Sequence, residues 1–260
     1  MSPRFFADVA LQTGTHITLP DHAARHVQVL RLQPGEHITL FNGASAPAAE
    51  GEFDAVVTRM GRSDVDVTVG AFAATQRESP RHTHLAVSMP ANDRMDWLIE
   101  KATELGVASI WPLMSERSVL RLKADRADKK VAHWRGIAVA ACEQSGRNRL
   151  PTIHPVSTLA DWLKSQAAAG APLALRCLLS VQGGTQPLAS VVTAATTDLT
   201  FLSGPEGGLS PQEEAACLAC GWVPITLGAR VLRAETAPLA CLAYAALAPL
   251  APLTPFLPAS

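Results

Sequence analysis

Apolar and polar positions alternate along this chain with two different periods, and the change falls near residue 78. Before it, short runs alternate every second residue: HITL at 16–19, HITLFNG at 37–43, FDAVVTRM at 53–60 and VDVTVG at 65–70. Pro34-Gly35, Asn42-Gly43, Gly61 and Gly70 separate them. Strands this short with turn residues at this spacing predict a small β-barrel over residues 1–78. One segment in it has a helical period instead. Ala23, Val27 and Leu30 share a face, and Arg25 and Arg31 project away from that face or lie just past its end.

Ser79-Pro80-Arg81-His82-Thr83 reads as a linker, after which the pattern becomes alternating strands and helices, the signature of an α/β domain over residues 79–260. Strands are predicted at 84–89, 107–113 and 173–179. A helix capped by Asp93 carries Met95, Leu98, Ile99, Ala102 and Leu105 on one stripe and ends at Gly106. A second, over 128–144, sets Val131, Trp134, Ala138 and Ala141 on one side. A short helix around Trp162 and another over 186–195 follow.

Residues 199–236 repeat the order strand, loop, helix, strand, loop, helix. The first loop, Gly204-Pro205-Glu206-Gly207-Gly208, follows the apolar run 199–202. The second, Leu227 to Arg233, follows 222–226. Between them Ser210 and Glu213 form a capping box, Pro211 occupies the first turn and Gly221 stops the helix. Loops at the carboxyl ends of strands are where open α/β sheets bind ligands, so the two loops read as one site. The helix after Thr236 is apolar nearly all round, which predicts cover on several sides.

Charge refines this picture. The chain is nearly neutral, yet residues 117–149 hold nine Lys or Arg against three acids. A local basic surface in a neutral protein suits a specific anionic partner such as RNA. Arg117 and Arg121, and the donor-rich end Arg147-Asn148-Arg149, are candidates, with Arg4, Arg25 and Arg31 from the first domain. Five cysteines without a framework indicate a reduced, cytosolic protein, and Cys217 with Cys220 lacks the second pair of a zinc set. The opening residues lack a signal-peptide pattern. The uncharged stretch after Glu235 contains Pro238, Pro249, Pro252, Pro255 and Pro258, and reads as a buried or interface helix with an irregular tail rather than a membrane span.

The glycine loops match neither a dinucleotide fingerprint nor a P-loop. Glu206 inside the first loop disfavours phosphate and favours a cation, such as a sulfonium, or a ribose hydroxyl. GPEGGLSPQE followed by LGARVLRAETA resembles the RsmE-type methyltransferases of the SPOUT superfamily, which modify N3 of a uridine in 16S ribosomal RNA. RFFAD, HVQVLRLQPGEHITLFNG, DWLIEKATELGV, SERSV and AVAACEQSGRNRLP are similar to segments of the same family in the same order, so the resemblance covers most of the chain. Ala229, where the family commonly has proline, and Leu209, where many members carry phenylalanine, depart from the pattern.

The resemblance implies a PUA-like RNA-binding barrel, a catalytic domain with a C-terminal trefoil knot, a homodimer, and the small ribosomal subunit as partner. It implies S-adenosyl-L-methionine as cofactor, held by Leu179, Ser180, Leu202, Ser203, Gly204, Glu206, Gly207, Gly208, Leu227, Gly228, Val231 and Leu232. Methyl transfer to uracil N3 needs its proton accepted and negative charge on O2 and O4 stabilised. Arg233 suits the second task; Glu235 or Glu206 suits the first where its surroundings raise its pKa. Glu235 at a helix start, salt-bridged to Arg233, is the other reading of that pair. A target base must leave its stack to be reached. Two further classes fit parts of the sequence: a non-catalytic RNA-binding ribosome-assembly factor, and an α/β enzyme of small metabolites.

Overall fold

The computed structural model describes residues 2–43, 50–91, 93–168 and 175–248. The proline-rich tail from residue 249 and positions 173–174 of the predicted third strand lie outside them. The chain forms two compact units, residues 1–78 with 136–150, and residues 79–135 with 151–260.

The first unit contains β1 (Arg4–Phe6), β2 (His16–Thr18), α1 (Asp21–Val29), β3 (His37–Phe41), β4 (Glu52–Met60) and β5 (Val65–Ala73). They build a five-stranded sheet in the order β1-β3-β4-β5-β2, in which β1 and β3 run parallel and the other pairs antiparallel. The period-2 pattern holds: Val65, Val67 and Val69 point inward and meet Phe5, Ile38, Leu40, Ala55 and Val57. Helix α1 adds Ala23, Ala24 and Val27 to that core. Its end is a Schellman turn, with Leu32 N–H donating to Val27 O at 3.3 Å and Arg31 N–H to Gln28 O at 3.0 Å. The left-handed position of such a turn normally takes glycine; here it is Arg31, with φ 56°. For an L-residue that backbone costs about 1–2 kcal/mol. Arg25 and Arg31 both remain exposed.

The donor-rich segment 147–149 is built into this unit. Arg147 is buried, and its guanidinium donates to Glu78, from Nε at 3.0 Å and from Nη2 at 2.6 Å. Asn148, also buried, accepts from Arg4 Nη2 at 2.7 Å and donates to Thr75 O at 2.9 Å. Arg149 pairs with the buried Glu50 at 2.7 Å, and Arg4 pairs with Glu52. Hydrogen bonding to Arg77 is the main force that drives the Glu52 carboxyl down to about 2, against the opposing effect of burial. These four predicted RNA ligands are therefore occupied inside the fold, for a physical reason: a buried guanidinium without a carboxylate or carbonyl partner is too costly to leave unpaired.

The second unit contains β6 (His82–Ser88), α2 (Asp93–Glu104), β7 (Ser109–Met114), the first half of α3 (Ala124–Ser145), β8 (Thr152–Ile153), β9 (Ser157–Thr158) and α4 (Leu159–Ala168). It continues with β10 (Leu175–Leu179), β11 (Gln186–Pro187), α5 (Leu188–Val191), β12 (Asp198–Ser203), α6 (Pro211–Ala219), β13 (Val223–Thr226) and α7 (Thr236–Leu247). The sheet order is β11-β13-β10-β12-β6-β7-β8, every pair parallel, with β9 on β7. From β6 the chain builds outward to β7 and β8, then returns to lay β12, β10 and β13 on the other side, which makes β6–β12 a topological switch point. Leu202, Leu178, Ala86, Trp162, Cys217 and Trp222 fill one face. Helix α7 packs against α2, β12 and β6.

Four local expectations change. Asp93 is the first helical residue and not the cap. The strand predicted from Val107 starts at Ser109, because Val107 N–H closes the end of α2 by donating to Ala102 O at 3.0 Å. Helix α3 begins a turn earlier than predicted, at Ala124. The helix predicted at 186–195 shrinks to the two-residue strand β11 and the single turn α5, consistent with Pro187 ahead of α5, β-branched Val191 as its last residue, and Val192 and Thr193 beyond.

Candidate active site

Three segments that leave the carboxyl ends of β10, β12 and β13 enclose a cavity of about 700 Å³. That size holds a cofactor-sized ligand. Each segment is fixed by short-range bonds. After β12, Gly208 N–H donates to Pro205 O at 2.8 Å, and Gly208 has φ 67°. The chain passes so close to itself that a Cβ on Gly204 would stand 2.8 Å from Leu209 N and 2.9 Å from Gly208 C. Helix α6 starts immediately beyond, with Ser210 Oγ accepting from Glu213 N–H at 3.3 Å and Glu213 Oε2 accepting from Ser210 N–H at 2.9 Å. After β13, Thr226 Oγ1 accepts from Gly228 N–H at 3.2 Å, and Gly228 has φ 105°. The loop ends at Arg233, whose carbonyl accepts from Thr236 N–H at 3.0 Å and Ala237 N–H at 3.1 Å. After β10, Ser180 Oγ donates to Glu214 Oε1 at 2.9 Å.

The turn after β7 clasps the first loop. Arg117 Nη1 donates to Gly207 O at 2.8 Å and Leu209 O at 3.3 Å, while Glu116 N–H donates to Glu213 Oε1 at 2.7 Å. Arg121 closes the turn on Glu116 O at 2.6 Å and stays exposed.

Six charged side chains line the cavity: Arg94, Arg117, Arg230, Arg233, Glu206 and Glu214. Glu206 Oε1 accepts from Ala91 N–H at 3.0 Å and from Arg94 Nη1 at 3.2 Å. Burial pushes the Glu206 carboxyl up, but the Ala91 amide and Arg94 outweigh it and hold it below the ordinary glutamate range. Its surroundings thus keep it ionised and make it a weak proton acceptor. Glu235 is buried beneath the loop exit; Oε1 lies 4.0 Å from Arg94 Nε, and Oε2 has no hydrogen-bond partner among the described residues.

Of the residues expected from the sequence to hold a cofactor, Leu179, Ser180, Ser203, Gly204, Glu206, Gly207, Gly208, Leu227, Gly228, Val231 and Leu232 line this cavity. Leu202 does not: it faces the opposite side of the sheet, in the hydrophobic cluster with Leu178 and Trp222. Arg233 and Glu206 line it; Glu235 does not. Arg117 serves the loop backbone. Sequence reading missed Arg94, Glu214 and Arg230. Arg230 sits within the second loop motif, which is signal enough to flag it; nothing local marks Arg94 or Glu214.

The site fits S-adenosylmethionine on its own chemistry. Ser203 Oγ, in the wall, is buried without a hydrogen-bond partner among the described residues. At Gly208 and Gly228 an added Cβ would meet no atom within 4 Å, so the backbone there faces open space. A carboxylate held ionised suits a sulfonium.

Residues 77–246 match the RNA methyltransferase domain family, and residues 19–70 match the RNA methyltransferase PUA domain. The chain belongs to the RNA methyltransferase family. It is 30% identical over 215 residues to ribosomal RNA small subunit methyltransferase E of Bacillus subtilis, covering 82% of each chain. Among solved structures it superposes on the Neisseria gonorrhoeae ribosomal RNA small subunit methyltransferase E bound to S-adenosyl methionine, with TM-score 0.85, 35% identity and coverage of 94% of this chain and 96% of that one. A Legionella pneumophila methyltransferase in complex with the same cofactor gives TM-score 0.86 at 32% identity, over 94% and 97% of the chains. The cavity of this family member is thus built by the two loops that its sequence singles out together with the segment after β10.

Proposed function

We propose that the protein methylates N3 of a uridine in 16S ribosomal RNA of the small ribosomal subunit, using S-adenosylmethionine. The observation that carries this reading is a cofactor-sized cavity walled by the two motif loops and the segment after β10, in a chain whose similar solved structures hold that cofactor. When bound, the cofactor supplies a methyl group on a sulfonium. Leu179, Ser180, Ser203, Gly204, Gly207, Gly208, Leu227, Gly228, Val231 and Leu232 hold it, and the ionised Glu206 faces its positive charge. Alignment of nucleophile and methyl is the main task left to the protein.

Arg233 lines the cavity, is exposed, and its side chain has no ion-pair or hydrogen-bond partner among the described residues, so its guanidinium fork is available to the uracil oxygens as charge builds on them. Glu206 is held ionised and is a weak proton acceptor, so the N3 proton leaves to solvent while the Arg233 guanidinium stabilises the uracil anion that attacks the methyl. Glu235 acts behind the loop with Arg94, as part of the support for the helix start. Arg25, Arg31 and Arg121, exposed and basic, contact RNA phosphates; Arg4, Arg147, Asn148 and Arg149 hold the first unit together instead.

The first unit serves as a PUA-like RNA-binding barrel. The second has a SPOUT trefoil knot, supported by the path of the chain: it leaves β13 beyond β10, passes through 227–235 and returns in α7 against β12 and β6. A homodimer agrees with α7, on which Ala237, Ala240, Ala243 and Tyr244 stay half-buried beside an apolar core face. Among the described residues no helix is long and apolar enough to cross a membrane, and the cytoplasm is where the proposed partner resides.

Arg233→Ala tests the chemistry. Cofactor affinity by titration calorimetry should stay within about twofold, while turnover on small subunits falls by about 100-fold, the usual effect of removing one donor to developing charge. Unchanged turnover removes Arg233 from catalysis.

A further inference from the structure

Four arginines line the cavity, and their situations differ. Arg94 bonds to Glu206, and Arg117 donates to the Gly207 and Leu209 carbonyls. Of the two acids, Glu214 accepts from Ser180 and Glu206 is matched by Arg94. Arg230 and Arg233 are left. Both are exposed, and neither side chain has an ion-pair or hydrogen-bond partner among the described residues. The mouth of the cavity therefore presents two unmatched guanidinium groups within four residues of one loop.

The bound cofactor does not account for this surplus. S-adenosylmethionine carries a sulfonium and an ammonium against one carboxylate, so it brings net positive charge to a site with unmatched cations. A second, anionic ligand entering the same mouth would relieve that repulsion. The uracil oxygens give Arg233 such a partner. They are two acceptors on a small ring, and one fork is enough for them. The remaining anion that must approach with the base is its own backbone phosphate.

We propose that Arg230 is a phosphate clamp for the target nucleotide, gripping the backbone of the flipped uridine while Arg233 addresses the base. The assignment rests on the methyltransferase reading of the cavity. It divides labour within one loop. Gly228, pinned by Thr226, begins the loop and the Arg233 carbonyl, pinned by the start of α7, ends it, so the two side chains are carried on a segment fixed at both ends. Such a clamp supplies binding without sequence information, and it fixes how deep the base enters. A guanidinium suits it because the fork pairs two donors with two phosphate oxygens.

The test compares the full-length wild type with Arg230→Ala and Arg230→Lys, using purified small ribosomal subunits that lack the methyl mark. Three quantities are read: cofactor dissociation constant, subunit dissociation constant at several salt concentrations, and methyl transfer at saturating subunit. For Arg230→Ala, subunit binding should weaken about 10-fold and the salt slope should shrink by about one, as for loss of one phosphate contact. Cofactor affinity should stay at the wild-type value, and turnover at saturating subunit should fall less than affinity does, because the base seats less precisely without the clamp. Arg230→Lys, which keeps the charge but loses the fork, should recover the salt slope and part of the affinity. Loss of cofactor affinity with an unchanged salt slope would assign Arg230 to the cofactor and overturn the clamp, as would an Arg230→Ala protein equal to wild type in all three measurements. A wild type that neither binds the cofactor nor transfers methyl overturns the methyltransferase reading itself, and the clamp with it.

Discussion

Gly204→Val is expected to abolish measurable S-adenosylmethionine binding while leaving the fold intact. The reason is space. A side chain at 204 starts with a Cβ 2.8 Å from Leu209 N and 2.9 Å from Gly208 C, and both are backbone atoms that no rotamer change can move aside. The turn closed by Gly208 N–H on Pro205 O must then open, carrying with it the Glu206 carboxylate and the cavity wall. A displacement of about 1 Å in a positioned site costs roughly 100-fold, and valine adds two methyl groups to the clash. Titration calorimetry should therefore show dissociation weaker by about two orders of magnitude or more, with a smaller fall in thermal stability, because Leu209 beyond the turn packs in the core. Gly208→Ala is the milder companion. Its Cβ has room, but φ 67° strains any L-residue, so a smaller loss is expected. Wild-type affinity in Gly204→Val would place the cofactor elsewhere.

The largest expected effect on stability comes from Arg81, which sequence reading assigned to a linker. Its side chain is buried, and its guanidinium holds the end of α7 to the turn before β12. Nε donates to Thr196 O at 2.8 Å and Nη2 to Thr193 O at 3.1 Å. Nη1 donates to Ala245 O at 2.8 Å and Ala248 O at 2.6 Å. Carbonyls at a helix C-terminus are free acceptors at the negative end of the helix dipole, and a cation is the group that suits them. Arg81→Met keeps the stem and removes every donor. With buried acceptors orphaned, the loss should be about 3–5 kcal/mol. For a domain of this size that is a fall in melting temperature of roughly 10 °C. Differential scanning calorimetry reads it, and Arg81→Lys should lie between, because one ammonium cannot span four carbonyls. A loss under about 1 kcal/mol would mean that water satisfies those carbonyls equally well.

What the sequence made readable was local. The Ser210 capping box, the Pro211 start and the glycine stop of α6 are all where the pattern put them, because their causes lie within a few residues. The alternating valines of β5 and the stripe of Met95, Leu98, Ile99 and Ala102 on α2 were equally plain. The two glycine loops announced a site because their backbone demands are written in residue types. What stayed hidden depends on long-range partners. Arg147 and Arg149 look like ligands for RNA in one dimension; Glu78 and Glu50, 69 and 99 residues away in the chain, turn them inward. Arg117 has the charge of an RNA contact and the position of a brace, because the turn after β7 meets the first loop only in the folded sheet. Leu202 adjoins Ser203 in the sequence, yet successive strand residues face opposite sides, so one lines the cavity and the other the core. Arg94 joined the site through a carboxylate 112 residues distant, which no periodicity encodes.

The most direct test of the central claim is nucleoside mass spectrometry of 16S ribosomal RNA. Unmethylated small ribosomal subunits are incubated with the purified protein and S-adenosylmethionine carrying an isotopically labelled methyl group. One labelled N3-methyluridine per subunit is expected, absent without cofactor and absent with Gly204→Val. Label on another base, or on another atom of uridine, would contradict the assigned chemistry. No label, from a folded protein that binds the subunit, would contradict the enzyme and leave an RNA-binding assembly factor in its place.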